Sequence, residues 1–225
     1  MLVAGFAAGP WGTNCWVMAT GPGQECLVVD PGMDSLPQLQ EILSEQRLKP
    51  VAVLLTHGHM DHMWSVTPCA DGYGIPAYIH SADRRLLANP ELGVSAQAAE
   101  MIRAMGGEFV EPASVVELTG DTQLSLAGLS LLAQPAPGHT PGSVAFTVAA
   151  DLPRMFSGDL LFRGSVGRTD LPGGSPADMA ESLRRVVGGA DPHTLVHCGH
   201  GPDTSVADEL AGNPFLADLR GGRNG

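Results

Sequence analysis

Positive charge is scarce in this sequence of 225 residues, because 12 Lys and Arg stand against 24 Asp and Glu and give a net charge of −12. A surface this acidic repels the phosphates of nucleic acids, so we expect no nucleic-acid partner. No apolar run is long enough to cross a bilayer, and the sequence predicts no membrane partner. The first basic residue is Arg47, so the positively charged start of a secretory signal peptide is missing.

Cysteine is also sparse, and its spacing is not typical of a disulfide framework or a zinc ribbon. The four cysteines form no CxxC pair, and they are Cys15, Cys26, Cys69 and Cys198. A chain this long does not need disulfides for stability, so we interpret them as reduced thiols of a cytoplasmic protein. Cys198 lies two residues from His200, but nothing in the sequence pairs it with a base, which disfavours a nucleophilic role, and as a metal ligand it is less favoured than His200.

The composition otherwise indicates an ordinary globular chain. Hydrophobic residues make up 44% and charged residues 16% of the sequence, and this length can bury a substantial core. We see no linker or internal repeat and predict a single domain over residues 1–225. The Gly-rich end at 220–225, which holds Arg220 and Arg223, is predicted to be a flexible tail.

Hydrophobic periodicity predicts an α/β fold. The continuous apolar run 51–55 indicates a buried strand, and apolar residues at helical spacing indicate a helix over 35–47. Further strands are predicted at 15–20, 26–30, 75–80, 115–118, 129–133, 144–148, 154–157 and 194–197. Further helices are predicted at 63–70, 82–88 and 176–187, with Ser81 and Asp83 as capping residues of the second of these.

The segment 89–112 is the least informative part of the chain. Ala98, Met101, Ile102 and Met105 have helical spacing. They could form a flexible apolar wall for a substrate, although a stripe that faces the core is the more common explanation.

The run Thr56-His57-Gly58-His59-Met60-Asp61-His62 directly follows the predicted strand 51–55. Three imidazoles and one carboxylate at the end of a buried strand would be costly to desolvate without a partner. Neutral imidazole and carboxylate are the ligands that divalent metals prefer, and Gly58 permits a tight turn between two of them. The run therefore predicts a metal site.

Three more candidate ligands follow predicted strands, each directly after a glycine: His139, Asp159 and His200. Asp30 also ends a predicted strand. It is either a carboxylate that orients a metal-bound histidine or a turn-forming residue before Pro31, and both interpretations stay open. The remaining histidines are predicted to be structural, and they are His80, His193 and His197.

The motifs THGHMDH, PGHTPGS, SGDLLF and CGHGPDT, together with the run GRTDLPGG at 167–174, resemble the metallo-β-lactamase superfamily. The closest resemblance is to its glyoxalase II-like hydrolases. The resemblance implies an αββα sandwich of two mixed sheets flanked by helices. It also implies a first metal held by His57, His59 and His139, and a second held by Asp61, His62 and His200. Asp159 would bridge the two metals.

The resemblance further implies a reaction. Two divalent ions, with zinc favoured and iron or manganese as alternatives, would supply a hydroxide that attacks a thioester of a small thiol. Asp61 would orient this hydroxide and handle its proton. The C-terminal helical domain with which full-length glyoxalase II enzymes hold glutathione has no counterpart here, so the thiol carrier stays open. Arg163 and Arg168 are candidates to meet a substrate carboxylate, although Arg168 could equally pair with Asp170.

Three alternatives remain. A persulfide dioxygenase of the same fold would bind one iron and consume oxygen, and a lactone or other ester hydrolase would use the same two metals. The missing signal peptide disfavours a secreted β-lactamase. A non-catalytic metal-binding protein would be expected to have a degenerate ligand set, whereas this set is complete.

Overall fold

The computed structural model describes residues 1–105 and 109–219, and it shows two mixed six-stranded sheets packed face to face. Three apolar clusters fill the layers. One lies between the sheets, and each of the others lies between one sheet and the helices on its outer face. The predicted αββα sandwich is confirmed.

The first sheet contains, in spatial order, β1 (Leu2–Ala8), β2 (Thr13–Ala19), β3 (Glu25–Val29), β4 (Lys49–Leu54), β5 (Ala77–His80) and β6 (Val115–Leu118). The strands from β1 to β3 are antiparallel, and those from β3 to β6 are parallel. Successive residues of β4 face different layers: Val53 packs toward the helices and Leu54 toward the second sheet. Burial on both faces explains why this strand is a continuous apolar run rather than an alternating one.

The second sheet is formed by later strands of the chain. Its members and the small ribbon beside it are β7 (Thr122–Leu126), β8 (Leu129–Pro135), β9 (Val144–Val148), β10 (Arg154–Gly158), β11 (Leu161–Phe162), β12 (Ser165–Val166), β13 (Leu195–Cys198) and β14 (Thr204–Ser205). The order across the sheet is β14-β13-β10-β9-β8-β7, and β11 pairs with β12. Strands β10 and β13 are parallel, so these two strands end at the same edge.

The α-helices are α1 (Leu36–Glu45), α2 (Met60–Met63), α3 (Val66–Tyr73), α4 (Ala96–Met105), α5 (Pro176–Ser182) and α6 (Val206–Gly212). A π-helical stretch, Leu183–Val187, continues α5, and 3-10 helices occupy Arg84–Leu86, Pro90–Gly93 and Pro214–Leu219. Helices α1 and α3 cover the first sheet, whereas α5 and α6 cover the second. Within the described ranges no helix has the length and apolar character needed to cross a membrane.

The helix predicted over 82–88 is wrong. Only the 3-10 turn Arg84–Leu86 forms there, and Asp83 makes no side-chain capping bond. Its carboxylate instead accepts hydrogen bonds from two loops that are distant in the sequence. A carboxylate bound to these loops cannot cap a helix at its own position. The helix predicted over 63–70 lies three residues further along the chain, as α3 (Val66–Tyr73). Met63 is instead the last residue of the short helix α2.

The structure adds strands that the sequence analysis does not predict, namely β1, β7, β11, β12 and β14. In β1, Gly5 lowers the intrinsic strand preference. A Cβ on Gly5 would lie 2.1 Å from the Trp16 indole, so the glycine is explained by a ring that packs on the strand. The predicted tail 220–225 lies outside the described residues, as do the side chains of Met101 and Met105. Of the proposed stripe, Ile102 packs into the core and Ala98 lines a cavity.

Candidate metal centre

All seven predicted ligand residues meet at one end of the sandwich. The run 57–62 follows β4 of the first sheet, and the other three follow strands β8, β10 and β13 of the second sheet: His139, Asp159 and His200. The two sheets therefore contribute ligand loops to one site. The backbone N–H of Val144 donates to the carbonyl of Thr56 at 2.7 Å and joins the sheets beside this site.

The first three candidate ligands form a compact buried group. One side-chain nitrogen from each of His57, His59 and His139 lies within 4.8 Å of the other two. His59 Nδ1 and His139 Nε2 are 2.8 Å apart. All three imidazoles are buried, so water does not solvate this group freely.

The second group is more open. Asp61, His62 and His200 also bring one ligand atom each within 4.8 Å. The Oδ2 atom of Asp61 lies 3.2 Å from His200 Nε2 and 3.5 Å from His62 Nε2. The His200 side chain is 28% exposed, whereas that of His62 is fully buried. A small molecule would therefore reach the site from the side of this second group.

Asp159 stands between the two groups. Its Oδ2 atom is 3.4 Å from His139 Nε2, and its Oδ1 atom is 3.3 Å from His62 Nε2. One carboxylate thus offers an oxygen to each side, as a bridging ligand would.

Hydrogen bonds on the side away from the site determine which ring nitrogen of His139, His200 and His62 faces it. The Nδ1–H groups of His139 and His200 donate to the carbonyls of Arg168 at 2.8 Å and Trp11 at 3.2 Å. His62 Nδ1 donates to Asp30 Oδ2 at 2.9 Å. Because a carbonyl can only accept, Nε2 of His139 and of His200 must carry the lone pair in the neutral ring.

The ring of His57 is oriented through Thr56. The Thr56 hydroxyl donates to Asp30 Oδ2 at 2.5 Å, so its oxygen is left to accept from His57 Nδ1 at 3.1 Å. His57 Nε2 is buried and has no hydrogen-bond partner. The Asp30 carboxylate therefore orients two imidazoles, that of His62 directly and that of His57 through Thr56, as the first of its two predicted roles requires. Its φ of 49° also places it in the left-handed region that Asp tolerates.

Burial keeps two imidazoles of the first group neutral, those of His57 and His59. It lowers the pKa of His59 to about 4, with His139 as a further cause, and it lowers the pKa of His57 well below its usual value. Neutral imidazole is the form that binds metal.

The second group favours a positive charge. Burial lowers the pKa of His62, but the carboxylates of Asp61, Asp159 and Asp30 outweigh it and raise that pKa well above its usual value. Burial would raise the pKa of Asp61, yet His62, His200 and the Thr13 hydroxyl keep it well below the ordinary range. Carboxylates gathered around imidazole nitrogens attract a cation.

This donor set fits divalent metal ions. His57 Nε2 lacks any hydrogen-bond partner, and the Nε2 atoms of His139, His62 and His200 face carboxylates, an arrangement that requires either a proton or a metal ion between nitrogen and oxygen. Each of these rings has an outer hydrogen bond that fixes its tautomer, as metal-binding histidines usually do. All the ligand atoms are nitrogen or oxygen, which suits zinc, iron and manganese.

The N-terminal segment before and within β2 supports the second group. Thr13 Oγ1 donates to Asp61 Oδ2 at 3.0 Å, and the Asn14 side chain donates to the carbonyls of Cys198 and Gly201. The Trp16 indole N–H donates to the same Cys198 carbonyl at 3.1 Å. Nothing local in the sequence indicates the contacts of Asn14 and Trp16 with a loop more than 180 residues away.

A cavity of about 360 Å³ opens over the candidate ligands. Its lining combines ligand side chains with apolar groups and one arginine: Trp11, His59, Met60, Asp61, Val94, Ser95, Ala98, His139, Asp159, Arg168, Leu171 and His200. Arg168 pairs through two hydrogen bonds of 2.7 Å with Asp170. Arg163 does not line the cavity and donates to the Asp203 carbonyl instead.

Cys198 lies in β13 and is buried. Burial, with a contribution from Asp203, raises the pKa of its thiol to about 12, which does not suit a nucleophile or an additional thiolate ligand. All four cysteines are free and buried.

Comparison with known proteins identifies the family of this chain. Residues 8–200 match the family model described as the metallo-beta-lactamase superfamily. An uncharacterized protein of Mycobacterium leprae is 44% identical over 97% of this chain and all of its own length. The probable metallo-hydrolase YqgX of Bacillus subtilis is 36% identical over 92% of this chain and 94% of its own. Hydroxyacylglutathione hydrolase GloC of Haemophilus influenzae is 28% identical, with 84% and 86% covered.

Two solved structures are similar over nearly the whole chain. BLEG-1 B3 metallo-beta-lactamase superposes with a TM-score of 0.85 at 33% identity, covering 96% of this chain and 100% of its own. TTHA1623 in a di-iron-bound form superposes with a TM-score of 0.78 at 37% identity, covering 95% and 100%.

Proposed function

The chain belongs to the metallo-beta-lactamase superfamily, and we propose that within it the protein is a dinuclear metallohydrolase that cleaves a thioester of a small thiol. The observation that carries the proposal is the position of Asp159 between two complete ligand groups, within 3.4 Å of a nitrogen of each. A site for one metal would not need the second group. His57, His59 and His139 would hold the first ion, Asp61, His62 and His200 the second, and Asp159 would bridge them.

The metals would supply a water of lowered pKa and polarise the scissile carbonyl. The chain's own groups would do the rest. Asp61 is held by Thr13 and faces the cavity, so we assign it to orient the attacking water and to take its proton. Met60, Val94 and Leu171 line the cavity and would exclude bulk water from the acyl group. Arg168, at the same cavity, is the candidate partner for a substrate carboxylate, and Arg163 is not.

Two relatives guide the choice of substrate and metal. The relative named hydroxyacylglutathione hydrolase supports a thioester, in which a thiolate is the leaving group and suits a metal ion. Because one relative is described in a di-iron-bound form, iron remains a candidate ion together with zinc and manganese. The relative named B3 metallo-beta-lactamase makes the hydrolysis of β-lactams the second candidate, since the same two groups of ligands would serve that reaction.

The test is the metal content per chain of protein purified without added metal, measured beside the hydrolysis of S-lactoylglutathione, neutral thioesters, a lactone and a β-lactam. We expect about two ions and thioester turnover that falls to background in His59→Ala. Arg163→Met is the matched control and should keep both properties. One iron per chain, with oxygen uptake on glutathione persulfide and no hydrolysis, would replace the proposal with a dioxygenase. Turnover of the β-lactam alone would replace it with the second candidate.

A further inference from the structure

Asp83 is a buried carboxylate that contacts both loops of the first ligand group. It follows β5 and is fully buried. Its Oδ2 atom accepts from the backbone N–H of Gly58 at 2.9 Å and from the Thr140 hydroxyl at 2.7 Å. Its Oδ1 atom accepts from the backbone N–H of Gly142 at 2.9 Å. All three donors belong to other segments, and the Asp83 side chain does not cap the 3-10 helix that follows it.

These contacts lie next to the ligands. Gly58 separates His57 from His59, and Thr140 is the residue after His139. Among the described side chains that are not candidate ligands, Asp83 is the one that hydrogen-bonds to both loops. His59 Nδ1 and His139 Nε2, which belong to these two loops, are 2.8 Å apart. Asp83 therefore fixes the separation that a shared metal ion requires.

The two loops pack closely against the Asp83 side chain. A Cβ on Gly142 would lie 2.5 Å from Asp83 Cγ, and a Cβ on Gly58 would lie 3.1 Å from Asp83 Cβ. Two glycines thus allow the loops to approach one side chain. A carboxylate accepts at both oxygens, whereas an amide must place an NH₂ group against one of the backbone N–H donors. Only a side chain that accepts at both oxygens matches all three donors.

We propose that Asp83 is a positioning residue that preorganises His57, His59 and His139 for their metal ion, separately from the second group. Asp30 has the corresponding place near the second group, but it binds an imidazole directly, at His62. Asp83 instead acts through backbone. The proposal requires that the first group binds a divalent ion, and it does not depend on which substrate is cleaved.

The test isolates the first group by using His200→Ala as the background, which removes a ligand of the second group. Zn²⁺ affinity is measured by competition with a chromophoric chelator, with and without Asp83→Asn. Hydrogen-bond partners around metal ligands typically change metal affinity by about 10–100-fold, and we expect a loss of that size. The visible absorption of bound Co²⁺ should also change, because it reports the ligand geometry.

Glu209 provides a matched control for a purely structural effect. It is buried and also accepts three hydrogen bonds, from the Gly164 N–H, the Thr204 hydroxyl and the Asn213 amide. It contacts none of the candidate ligands. In the same background, Glu209→Gln should leave Zn²⁺ affinity and the Co²⁺ spectrum within about twofold of the background, even if thermal stability falls equally.

Equal affinity with and without Asp83→Asn, or an equal loss in Glu209→Gln, would overturn the proposal. If Asp83→Asn does not fold, Thr140→Val removes one of the three donors and keeps both backbone contacts. It should weaken Zn²⁺ binding by a smaller factor in a folded protein. An unchanged affinity in that variant would overturn the proposal as well.

Discussion

Gly199 lies where the backbone passes close to the centre of the site. A Cβ at this position would lie 2.3 Å from Asp159 Oδ1 and 2.8 Å from His62 Cε1. Its N–H donates to the Gly158 carbonyl and its own carbonyl accepts from Asn14, so the backbone cannot retreat without breaking both bonds. A side chain here must displace the carboxylate that stands between the two ligand groups.

We therefore expect Gly199→Ala to lower metal affinity at least about tenfold and to reduce the bound metal to one ion or fewer per chain. The measurement is metal content after dialysis against a weak chelator. Gly212→Ala is the matched control, since a Cβ there meets nothing within 4 Å and lies at the end of α6. Full retention of two ions by Gly199→Ala would contradict the close approach seen at this residue.

Sequence reasoning assembles the seven candidate ligands from spacing and resemblance, because His and Asp at strand ends are a local signal. It does not identify the nitrogen by which each imidazole faces the site. That choice depends on carbonyls such as those of Trp11 and Arg168, which lie 189 and 29 residues away from their histidines. Asp83 is predicted only as a helix cap, since its three partners are distant in the sequence.

At the scale of elements, most of the predicted strands are buried, and the half-exposed edge strand β6 is an exception. The runs behind β2, β3 and β4 are apolar because each packs on helices and on the second sheet. β7 is an edge strand with Thr, Gln and Ser among its five residues, so its apolar signal is weak. The predicted helix 82–88 fails for a different reason, because tertiary hydrogen bonds to Asp83 outweigh local helix preference.

Strand β2 is also the element that holds the loop of the second ligand group. The Asn14 amide donates to the carbonyls of Cys198 at 3.0 Å and Gly201 at 2.8 Å, on both sides of His200. Asn14 is buried, so a shorter side chain would leave these carbonyls without that donor. The position of His200 should depend on this strand.

We expect Asn14→Ala to lower the free energy of unfolding by about 0.5–1.5 kcal/mol for each of the two hydrogen bonds lost, because the Cys198 carbonyl keeps the Trp16 indole N–H as a donor. The substitution should also lower the affinity for the second metal ion more than the affinity for the first. Urea unfolding and stepwise metal titration measure the two effects. Asn89→Ala is the matched control, because the Asn89 amide donates to the Arg85 carbonyl at an exposed position. An Asn14→Ala protein as stable as Asn89→Ala would show that β2 does not hold this loop.

At the scale of the whole molecule, the candidate metal centre lies where the two sheets meet. The run 57–62 comes from the first sheet, and His139, Asp159 and His200 come from the second. Each ligand group takes side chains from both sheets. Bound metal would therefore connect the two halves of the sandwich, in addition to the apolar layer between them.

Because the unfolded chain does not keep these ligands together, metal should stabilise the folded protein by mass action. Free metal at about one hundred times its Kd contributes about 2.7 kcal/mol. For a chain of this size that corresponds to about 5–10 °C in Tm. Thermal unfolding with zinc and after removal of metal by a chelator measures the difference. The double variant His59→Ala with His200→Ala removes one ligand from each group and should unfold at nearly the same temperature in both conditions. If chelation left the Tm of the unsubstituted protein unchanged, bound metal would not contribute to holding the two sheets together, and their apolar layer and direct hydrogen bonds would be sufficient.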